Sequence, residues 1–391
     1  PNRADLFPRI PSAAIVLTSF QLLARDAASY PPTSWAAAIL DEAGFIRNPD
    51  TLAAKAAHRI NAHVRIALTG TPVENSVRDL WSILQFARPG YLGPRNDFKE
   101  RYELPLAAGS AAKVIDRLRR RLAPCLLRRL KQDVARDLPS KIESIVRCDL
   151  TPTQRDLYAG LLREGAAKVI DAENSRQKGQ ARLHILTALL RLRQTCCDPR
   201  LLPGFSPPKP AASDDPDPVS GKLEALAELL DEIRDGGHSV LIFSAFSSML
   251  DLIEATVAAA SMAWCRIDGK TADRTAQVDA FQRDPEKRVF LISLKAGGFG
   301  LNLTKADTVI HFDPWWNPAV EAQATDRAHR IGQSRPVTIY KLISSGTVEE
   351  KILLLQQKKR GLMEATLDDD APVMDGLSDD DLRSLLSPSS P

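Results

Sequence analysis

Short apolar runs recur along the chain, with segments of helical periodicity between the later ones. The runs occupy residues 13–20, 36–43, 64–71, 239–246, 264–269, 289–294, 306–313 and 337–344. They are continuously apolar rather than strictly alternating, which is typical of parallel strands buried on both faces. Helical patterns occupy residues 247–260 and 271–284. Alternation of strands and helices predicts an α/β fold, in which functional residues lie at the carboxyl ends of strands.

The middle of the chain follows a different pattern. From about residue 76 to 200 the apolar positions have helical spacing and arginines are frequent, as in residues 114–134 and 184–199. This predicts a helical insertion or linker between two α/β units. Residues 202–221 contain six prolines and indicate a surface loop or a flexible linker. In the last segment the pattern predicts one short helix, near residues 378–386.

The patterns divide the chain into successive parts. They are the end of a first α/β unit (1–75), helical protrusions and a linker (76–205), a proline-rich loop (206–220), a second α/β unit (221–360) and an acidic tail (361–391). The first unit shows only three apolar runs, whereas a doubly wound nucleotide-binding unit usually has about five strands or more. We therefore expect the first sheet to be incomplete at its N-terminal end.

Charge is distributed unevenly over these parts. The whole chain has a net charge of +3, but residues 361–391 contain Glu364 and seven aspartates against one Arg383, a net −7 that leaves +10 on the first 360 residues. A basic body with an acidic tail fits an anionic partner such as nucleic acid, although a solvated basic surface has the same composition.

The remaining composition narrows the class of protein. No run of 18 apolar residues occurs, so no membrane span is expected. The first residues resemble neither a signal peptide nor a transit peptide and lack an initiator methionine, so we expect the chain to be cut from a longer one. The five cysteines form no CxxC pair, which favours reduced thiols in a cytoplasmic protein over a zinc site or a disulfide framework.

An early apolar run ends in two adjacent carboxylates, Asp41 and Glu42. Acidic residues favour the first turn of a helix on electrostatic grounds, which is one interpretation. The other is a phosphate-handling strand, in which one carboxylate holds Mg²⁺ and the other activates water. The next run ends in Thr69, Gly70 and Thr71, small residues that could lie beside the carboxylates and sense a γ-phosphate. This neighbouring run favours the second interpretation.

A phosphate-binding loop of the form GxxxxGK[ST] is absent from the 391 residues. Residues 269–271 read Gly-Lys-Thr, but Trp264 stands where the first glycine belongs, and its bulk prevents the loop from wrapping a phosphate. The glycine-rich residues 295–302 follow an apolar run without completing GxGxxG. They indicate either a close approach to a ligand or a tight connection.

Gln323, Arg327 and Arg330 recur at spacings of four and three residues, which predicts that they share one face of a helix. A solvated basic face is one interpretation of this cluster. The alternative is a pair of arginines that project into a cleft and neutralise the charge of phosphoryl transfer, an effect worth roughly 10³–10⁵ in rate where such residues act.

Several segments together resemble the Swi/Snf-type double-stranded DNA translocases, a group of superfamily-two helicase-like ATPases. The most specific is residues 293–352, in which DPWWNP is followed by DRAHRIGQ. In chain order, LTSFQLLARD, LDEAGFIRNP, LTGTPVEN, LLRRLKQDVARDLPSKIE and LRLRQTCCDP also match the family. The resemblance covers roughly residues 12–362, and its wording is closest to that of bacterial members.

The resemblance implies two RecA-like parallel-sheet lobes, the first truncated at its N-terminus, with helical insertions between them and with ATP and Mg²⁺ as cofactors. Asp41 would hold Mg²⁺ through water, and Glu42 would polarise the attacking water. Arg327 and Arg330, with Arg330 as the principal finger, would approach the phosphates together with Gln323. The remaining implied roles are coupling of the nucleotide state to DNA by Thr69, Gly70, Thr71 and Asn302, and a position in the nucleotide cleft for Gly300.

The implied partner is double-stranded DNA, contacted mainly through its backbone because a motor must be indifferent to sequence. Trp315 and Trp316 cannot both face the core from adjacent positions, so at least one is expected to be exposed near DNA or the interface between the lobes. DNA-bound proteins and RNA polymerase are further partners that the resemblance brings in. The candidate DNA contacts are Thr18, Ser19, Arg274, Ser293, Lys295 and Trp316.

Two features depart from the family. Its phosphate-loop lysine would lie upstream of the first residue, and Gly44 stands where relatives have Gln or His, which removes a side chain that links ATP to the second lobe. The expected function is therefore that of the C-terminal portion of an ATP-dependent DNA translocase in the bacterial cytoplasm, associated with the nucleoid and inactive without the upstream loop. The alternative is a catalytically inactive DNA-binding module, or one half of a split ATPase.

Overall fold

The computed structural model describes residues 3–30, 33–70, 77–107, 111–127, 129, 131–135, 137–174, 178–206, 219–294, 296, 300–367 and 385–386. The backbone separates into two compact units, Pro1–Leu127 with Gly361–Gly376 and Arg128–Arg360 with Leu377–Pro391. None of the helices in the described ranges has both the length and the apolar character needed to span a membrane.

The first unit contains a two-stranded parallel sheet. β1 (Trp35–Leu40) pairs with β2 (Ala62–Ala67), which confirms the strands predicted from the second and third apolar runs. Ile46 and Phe86 are fully buried in the core beside the end of β1. The helices of this unit are α1 (Phe20–Arg25), α2 (Leu52–His58), α3 (Val77–Ala87), α4 (Arg95–Phe98), α5 (Leu104–Ala107) and α6 (Ala111–Leu122), with 3-10 turns at Arg3–Ser12 and Ala43–Ile46 and a π turn at Lys99–Glu103.

The first apolar run is not a strand, so the prediction for residues 13–20 is wrong. Phe20 already begins α1, and the side chain of Ser19 accepts a hydrogen bond from the backbone N–H of Leu22. This cap is a local polar interaction, which an apolar pattern does not show. Ile15 and Leu17 remain 86% and 95% exposed, because the described sheet of this unit pairs only β1 with β2.

The second unit is built on a parallel sheet of six described strands. They are β3 (Lys141–Cys148), β4 (Val240–Ser244), β5 (Ala263–Ile267), β6 (Lys287–Ser293), β7 (Thr308–His311) and β8 (Val337–Ser344). Their order across the sheet is β3-β8-β7-β4-β6-β5. Every residue of β4 and β7 is buried, as expected of central parallel strands covered on both faces. The predictions for the five later apolar runs are therefore confirmed.

β3 lies inside the segment that was expected to be helical, so that part of the prediction is wrong. The strand pairs with β8 along its whole length, from Lys141 opposite Val337 to Cys148 opposite Ser344. Most of its side chains are exposed, because it forms an edge of the sheet. An edge strand with little burial has a weak apolar pattern. Such a segment becomes a strand because a partner strand pairs with it, and its own sequence does not predict it.

Two long helices of the second unit, α8 (Pro152–Asn174) and α9 (Lys178–Cys197), pack against each other. They share an apolar cluster with α14 (Val348–Leu367), in which Ile185, Leu189 and Ile352 are buried. Leu385 and Leu386 are helical and buried in the same cluster, while the rest of the helix predicted near the C-terminus lies outside the described residues. The helices of this unit are α7 (Lys131–Val134), α8 (Pro152–Asn174), α9 (Lys178–Cys197), α10 (Gly221–Asp235), α11 (Ser247–Ala259), α12 (Arg274–Arg283), α13 (Pro318–Thr325) and α14 (Val348–Leu367), with a 3-10 turn at Pro199–Leu201.

A fully buried ion pair joins four elements of the second unit. Lys222, near the start of α10, donates from Nζ to Oε1 of Glu349 at 2.8 Å. The same ammonium donates to the carbonyls of Phe312 at 2.8 Å and Leu342 at 2.9 Å. Burial opposes the charged form, but the charge and hydrogen bond of Glu349 outweigh it and raise the pKa of Lys222. The pair therefore ties α10 to α14 and to the backbone around β7 and β8.

A second charged cluster holds the turn that follows α13. Asp326 lies 2.7 Å from Nζ of Lys131 and 2.7 Å from Nζ of Lys141, through different carboxylate oxygens. Lys131 also donates to the carbonyl of His329 at 3.1 Å, and Nε2 of His329 lies 2.7 Å from the carbonyl of Pro139. Burial acts to raise the pKa of Asp326, but the hydrogen bonds and charges of the two lysines outweigh it and lower that pKa.

Replacing Lys222 with methionine tests the buried ion pair. Lys222→Met leaves the carboxylate of Glu349 buried without its cation, so we expect the free energy of unfolding to fall by about 3–5 kcal/mol. Urea denaturation followed by circular dichroism measures this change. Lys270→Met, at an exposed position of the same unit, should change stability by less than about 0.5 kcal/mol. Equal stability of the two variants would contradict the assigned role.

Asp326→Asn tests the second cluster through its pH dependence. The pKa of Asp326 is lower in the folded chain than its ordinary value of 3.8, so its stabilisation is present above pH 3.8 and is lost as the pH falls through the folded pKa. We expect the variant to be less stable than the parent at neutral pH, with the difference shrinking below pH 3.8. Urea denaturation at several pH values measures it. The exposed control Asp279→Asn should show no comparable pH-dependent difference.

Candidate functional site

In the first unit, two carboxylates follow β1 at its carboxyl end. The N–H of Leu68 donates to the carbonyl of Leu40 at 2.8 Å, and the N–H of Ala43 donates to the carbonyl of Leu68 at 2.8 Å. These bonds continue the pairing of the two strands past their ends. They hold the segment that carries Asp41 and Glu42 against the segment that extends from β2.

The backbone at this edge is constrained. Glu42 has φ 50° and ψ 52°, the left-handed conformation that costs a residue with a Cβ roughly 1–2 kcal/mol. Its N–H donates to Oδ1 of Asp41 at 2.9 Å, which orients that carboxylate. Thr69 and Gly70 follow β2, whereas Thr71 lies outside the described residues. The carboxylates and the first two residues of the small-residue segment therefore meet at one edge of the sheet.

The donor chemistry of this edge fits Mg²⁺ held through water. The carboxylate of Asp41 is exposed at the strand tip, and Mg²⁺ usually takes one or two carboxylates together with waters and phosphate oxygens. In the described part of the chain, no group of three or more metal-binding side chains occurs. A Cβ at Gly44 would meet no atom within 4 Å, so the described residues leave room for a side chain at this position.

A cavity of about 580 Å³ lies beside the carboxylates in the first unit. Its lining includes Asp41, Thr18 and Ser19, and so joins the expected metal ligand to two expected DNA contacts. Tyr30 donates from Oη to Oγ1 of Thr18 at 3.0 Å, and Ser19 caps α1. Both hydroxyl groups thus already have partners within the unit.

In the second unit, Arg327 and Arg330 lie in a turn and not on a helix. α13 ends at Thr325, so the prediction that Gln323 shares one helix face with both arginines is wrong. The physical reason is tertiary: Asp326 is bonded to two lysines from a segment almost 200 residues earlier, and this fixes the chain where it leaves the helix. A spacing pattern contains no information about such a contact.

The turn nevertheless brings Arg330 to the glycine-rich segment. Nη1 of Arg330 donates to the carbonyls of Gly300 at 3.2 Å and Leu301 at 3.4 Å. Arg327 is only 3% exposed, whereas Arg330 is half-buried. The next residue of the segment, Asn302, is exposed. Of the two arginines, Arg330 is the one that keeps accessible surface for an anionic ligand.

The DNA contacts expected in the second unit differ in their exposure. Ser293 is 2% exposed at the end of β6, so its hydroxyl is not at the surface. Arg274 is the first residue of α12 and is half-buried, and Lys295 lies outside the described residues. Trp315 and Trp316 are both half-buried. Each packs partly against a different apolar cluster and keeps part of its ring accessible, so neither is fully exposed.

We call the turn that carries Arg327 and Arg330 the arginine turn. Sequence reasoning missed the residues that support it. Lys131, Lys141 and His329 are polar residues whose role depends on contacts distant in sequence. Gln333 also supports the turn, donating from Nε2 to the carbonyl of Ala306 at 2.7 Å. The available signal was that both lysines lie within the segment LLRRLKQDVARDLPSKIE, which already carried the family resemblance.

Comparison with known proteins gives the family of the chain. The SNF2-related domain matches residues 9–201, and the helicase conserved C-terminal domain matches residues 221–332. The chain is 35% identical over 351 residues to the CHD3-type chromatin-remodeling factor PICKLE of Arabidopsis thaliana, which covers 88% of this chain and 25% of that protein. It is 32% identical over 386 residues to an uncharacterized ATP-dependent helicase of Mycoplasma pneumoniae, covering 98% of this chain and 35% of that protein.

A solved structure extends the similarity to the fold. The Sulfolobus solfataricus SWI2/SNF2 ATPase core, determined in complex with dsDNA, has a TM-score of 0.51 and 36% sequence identity, covering 97% of this chain and 78% of that one. The chain spans 25% and 35% of the two curated relatives. The resemblance read from the sequence and the expected α/β fold with RecA-like lobes are thereby confirmed. The chain belongs to the SNF2 family of helicase-like ATPases, with an SNF2-related domain followed by a helicase C-terminal domain.

Proposed function

We propose that this chain serves in an ATP-dependent double-stranded DNA translocase, which couples ATP hydrolysis to movement along DNA. The observation that carries the proposal is the carboxylate pair Asp41–Glu42 at the end of a parallel strand, hydrogen-bonded through the backbone to the segment that leads to Thr69. The carboxyl ends of parallel strands are where α/β sheets bind nucleotides.

Named residues of the described chain supply the groups for the proposed hydrolysis of ATP. Asp41 would hold Mg²⁺ through water, and this ion would neutralise phosphate charge. Glu42 would accept a proton from the attacking water or orient it, and its left-handed backbone sets the direction in which its side chain leaves the strand end. Arg330 balances the negative charge that develops on the phosphoryl oxygens. The exposed fraction of its side chain, beside Gly300, supports this assignment.

Duplex DNA is the proposed partner. The net charge of +10 on the first 360 residues favours binding to a polyanion through its backbone, and the related Sulfolobus core was solved with dsDNA. We further propose that the motor acts on DNA in the cytoplasm and displaces proteins bound there. Co-purification from a cell extract would test RNA polymerase as such a protein.

A second candidate function is a DNA-binding module without turnover. The observation that favours it is the absence of a GxxxxGK[ST] segment from the 391 residues. Without the backbone cradle and lysine of such a loop, the phosphates of ATP lack their main binding group. In this case the chain would act as one half of an ATPase that another polypeptide completes.

Measurement of ATP hydrolysis distinguishes the two functions. We expect no hydrolysis above background for this chain, with or without duplex DNA, and DNA-stimulated hydrolysis for a longer polypeptide that carries an upstream GxxxxGK[ST] segment. In that polypeptide Glu42→Gln should abolish turnover, whereas Glu100→Gln, at an exposed position of the same unit, should not. Hydrolysis by the present chain that Glu42→Gln removes would refute the need for the loop.

Duplex binding tests the proposed partner directly. We expect the present chain to bind duplexes of unrelated sequence with similar affinity, because its contacts are to the backbone. Affinity should fall steeply as the salt concentration rises, since bound cations are released from the DNA. Fluorescence anisotropy with labelled duplexes measures both effects. Strong preference for one sequence, or affinity independent of salt, would contradict backbone recognition.

A further inference from the structure

A buried arginine stands at the centre of three aromatic rings in the second unit. Arg193, on α9, is 3% exposed, and its guanidinium carbon lies 5.3 Å from the ring centre of Phe246. The corresponding distances are 5.6 Å to Trp315 and 5.5 Å to Trp316. A planar cation stacks on aromatic faces in a way that the ammonium of a lysine does not. The side chain therefore contacts both tryptophans at once.

The same guanidinium fixes the backbone of the loop that carries the two tryptophans. Nη2 of Arg193 lies 3.0 Å from Oδ2 of Asp313 and donates to the carbonyl of Pro314 at 2.8 Å. Asp313 is fully buried, and its Oδ1 accepts from Oγ of Ser244 at 2.6 Å. We call residues 313–317 the tryptophan loop. Arg193 thus holds the first two residues of this loop as well as its aromatic side chains.

The loop lies where an α/β sheet ordinarily binds its ligand. β4 pairs with β6 on one side and with β7 on the other, so the strand order reverses between β4 and β7. Ligands bind at such a switch point, outside the carboxyl ends of the strands. Ser244 ends β4, and Asp313 follows β7 after one residue. Their hydrogen bond joins the ends of the two strands at the switch point.

Packing alone does not explain an arginine at this position. In the described part of the chain, Nε of Arg193 is buried without a hydrogen-bond partner, which is costly for a charged group. Replacement of buried ion pairs by apolar side chains of similar volume is often neutral or stabilising. We therefore infer that burial of this charge serves the geometry of the loop and not the stability of the unit.

We propose that Arg193 is a positioning residue, which holds the tryptophan loop in the shape that presents Trp316 to the backbone of duplex DNA. The inference rests on the proposed function, since it takes duplex DNA as the partner. Trp316 packs partly against the α8–α9 cluster and keeps part of its ring accessible. Arg193 itself is buried and paired, so it acts through Trp316 and makes no phosphate contact.

The test is a double-mutant cycle on duplex affinity. Trp316→Ala should weaken duplex binding about tenfold, the effect expected when one hydrogen bond to a charged phosphate group is lost. Arg193→Met should weaken it by a similar factor, and the double variant should be no weaker than either single variant, because both remove the same contact. Arg193→Lys should not restore binding, since it keeps the charge but loses the planar stack.

Arg191→Met is the matched control. This variant removes the same charge from an exposed position of α9. Any loss of affinity should disappear at high salt, because salt screens the attraction between the arginine and the DNA phosphates. The loss caused by Arg193→Met should persist there. Where Arg193→Met fails to fold because Asp313 is left unpaired, the double variant Arg193→Met/Asp313→Asn removes both charges and takes its place.

Acrylamide quenching of tryptophan fluorescence separates the inference from the proposed function. Arg193→Met should increase the quenching without DNA, and most of this increase should disappear in the Trp316→Phe background. If Arg193→Met increases the quenching but the parent chain binds no duplex, the role of Arg193 in positioning the tryptophan loop is supported and the proposed function is overturned. Unchanged quenching, or effects of Arg193→Met and Trp316→Ala on affinity that simply add, would overturn the inference.

Discussion

The second unit depends on the burial of one ammonium group. Lys222 satisfies its charge with Glu349 and its remaining donors with the carbonyls of Phe312 and Leu342. Because Phe312 directly precedes Asp313, the same ammonium fixes the point from which the tryptophan loop leaves the sheet. An unpaired charge at this depth would cost several kcal/mol of stability. The ammonium therefore keeps α10, α14 and the backbone around β7 and β8 together.

Parallel pairing then decides where the chemistry collects. In both units the strands run in the same direction, so the residues that follow them lie at one edge. Each sheet has its own such edge, which carries Asp41 and Glu42 in the first unit and Ser244 and Asp313 in the second. The polar groups that leave the sheet are bonded to one another or to the next segment, which orients them before any ligand arrives.

Two ion-pair clusters of the second unit bring distant segments to functional loops. Lys131 and Lys141 hold Asp326 at the start of the arginine turn, while Arg193 holds Asp313 at the start of the tryptophan loop. In each case a cation from a segment early in the unit meets an aspartate within two residues of the end of a helix or strand. A displacement of the segment that carries the cation would therefore move the loop that carries the aspartate, since separation of the two charges costs free energy.

The class of fold, seven of the eight described strands, the carboxylate pair and the family could all be predicted from the sequence alone. These features depend on local apolar runs and short motifs, which need no knowledge of the partner. Tertiary structure decided the rest. β3 exists because β8 lies beside it, Ser19 begins a helix in place of a strand, and Arg330 reaches Gly300 from a turn. The role of Arg193 could not be predicted from the sequence either, because it depends on aromatic rings and a carboxylate more than 50 residues away. Such contacts are set by packing in three dimensions, and no spacing along the chain encodes them.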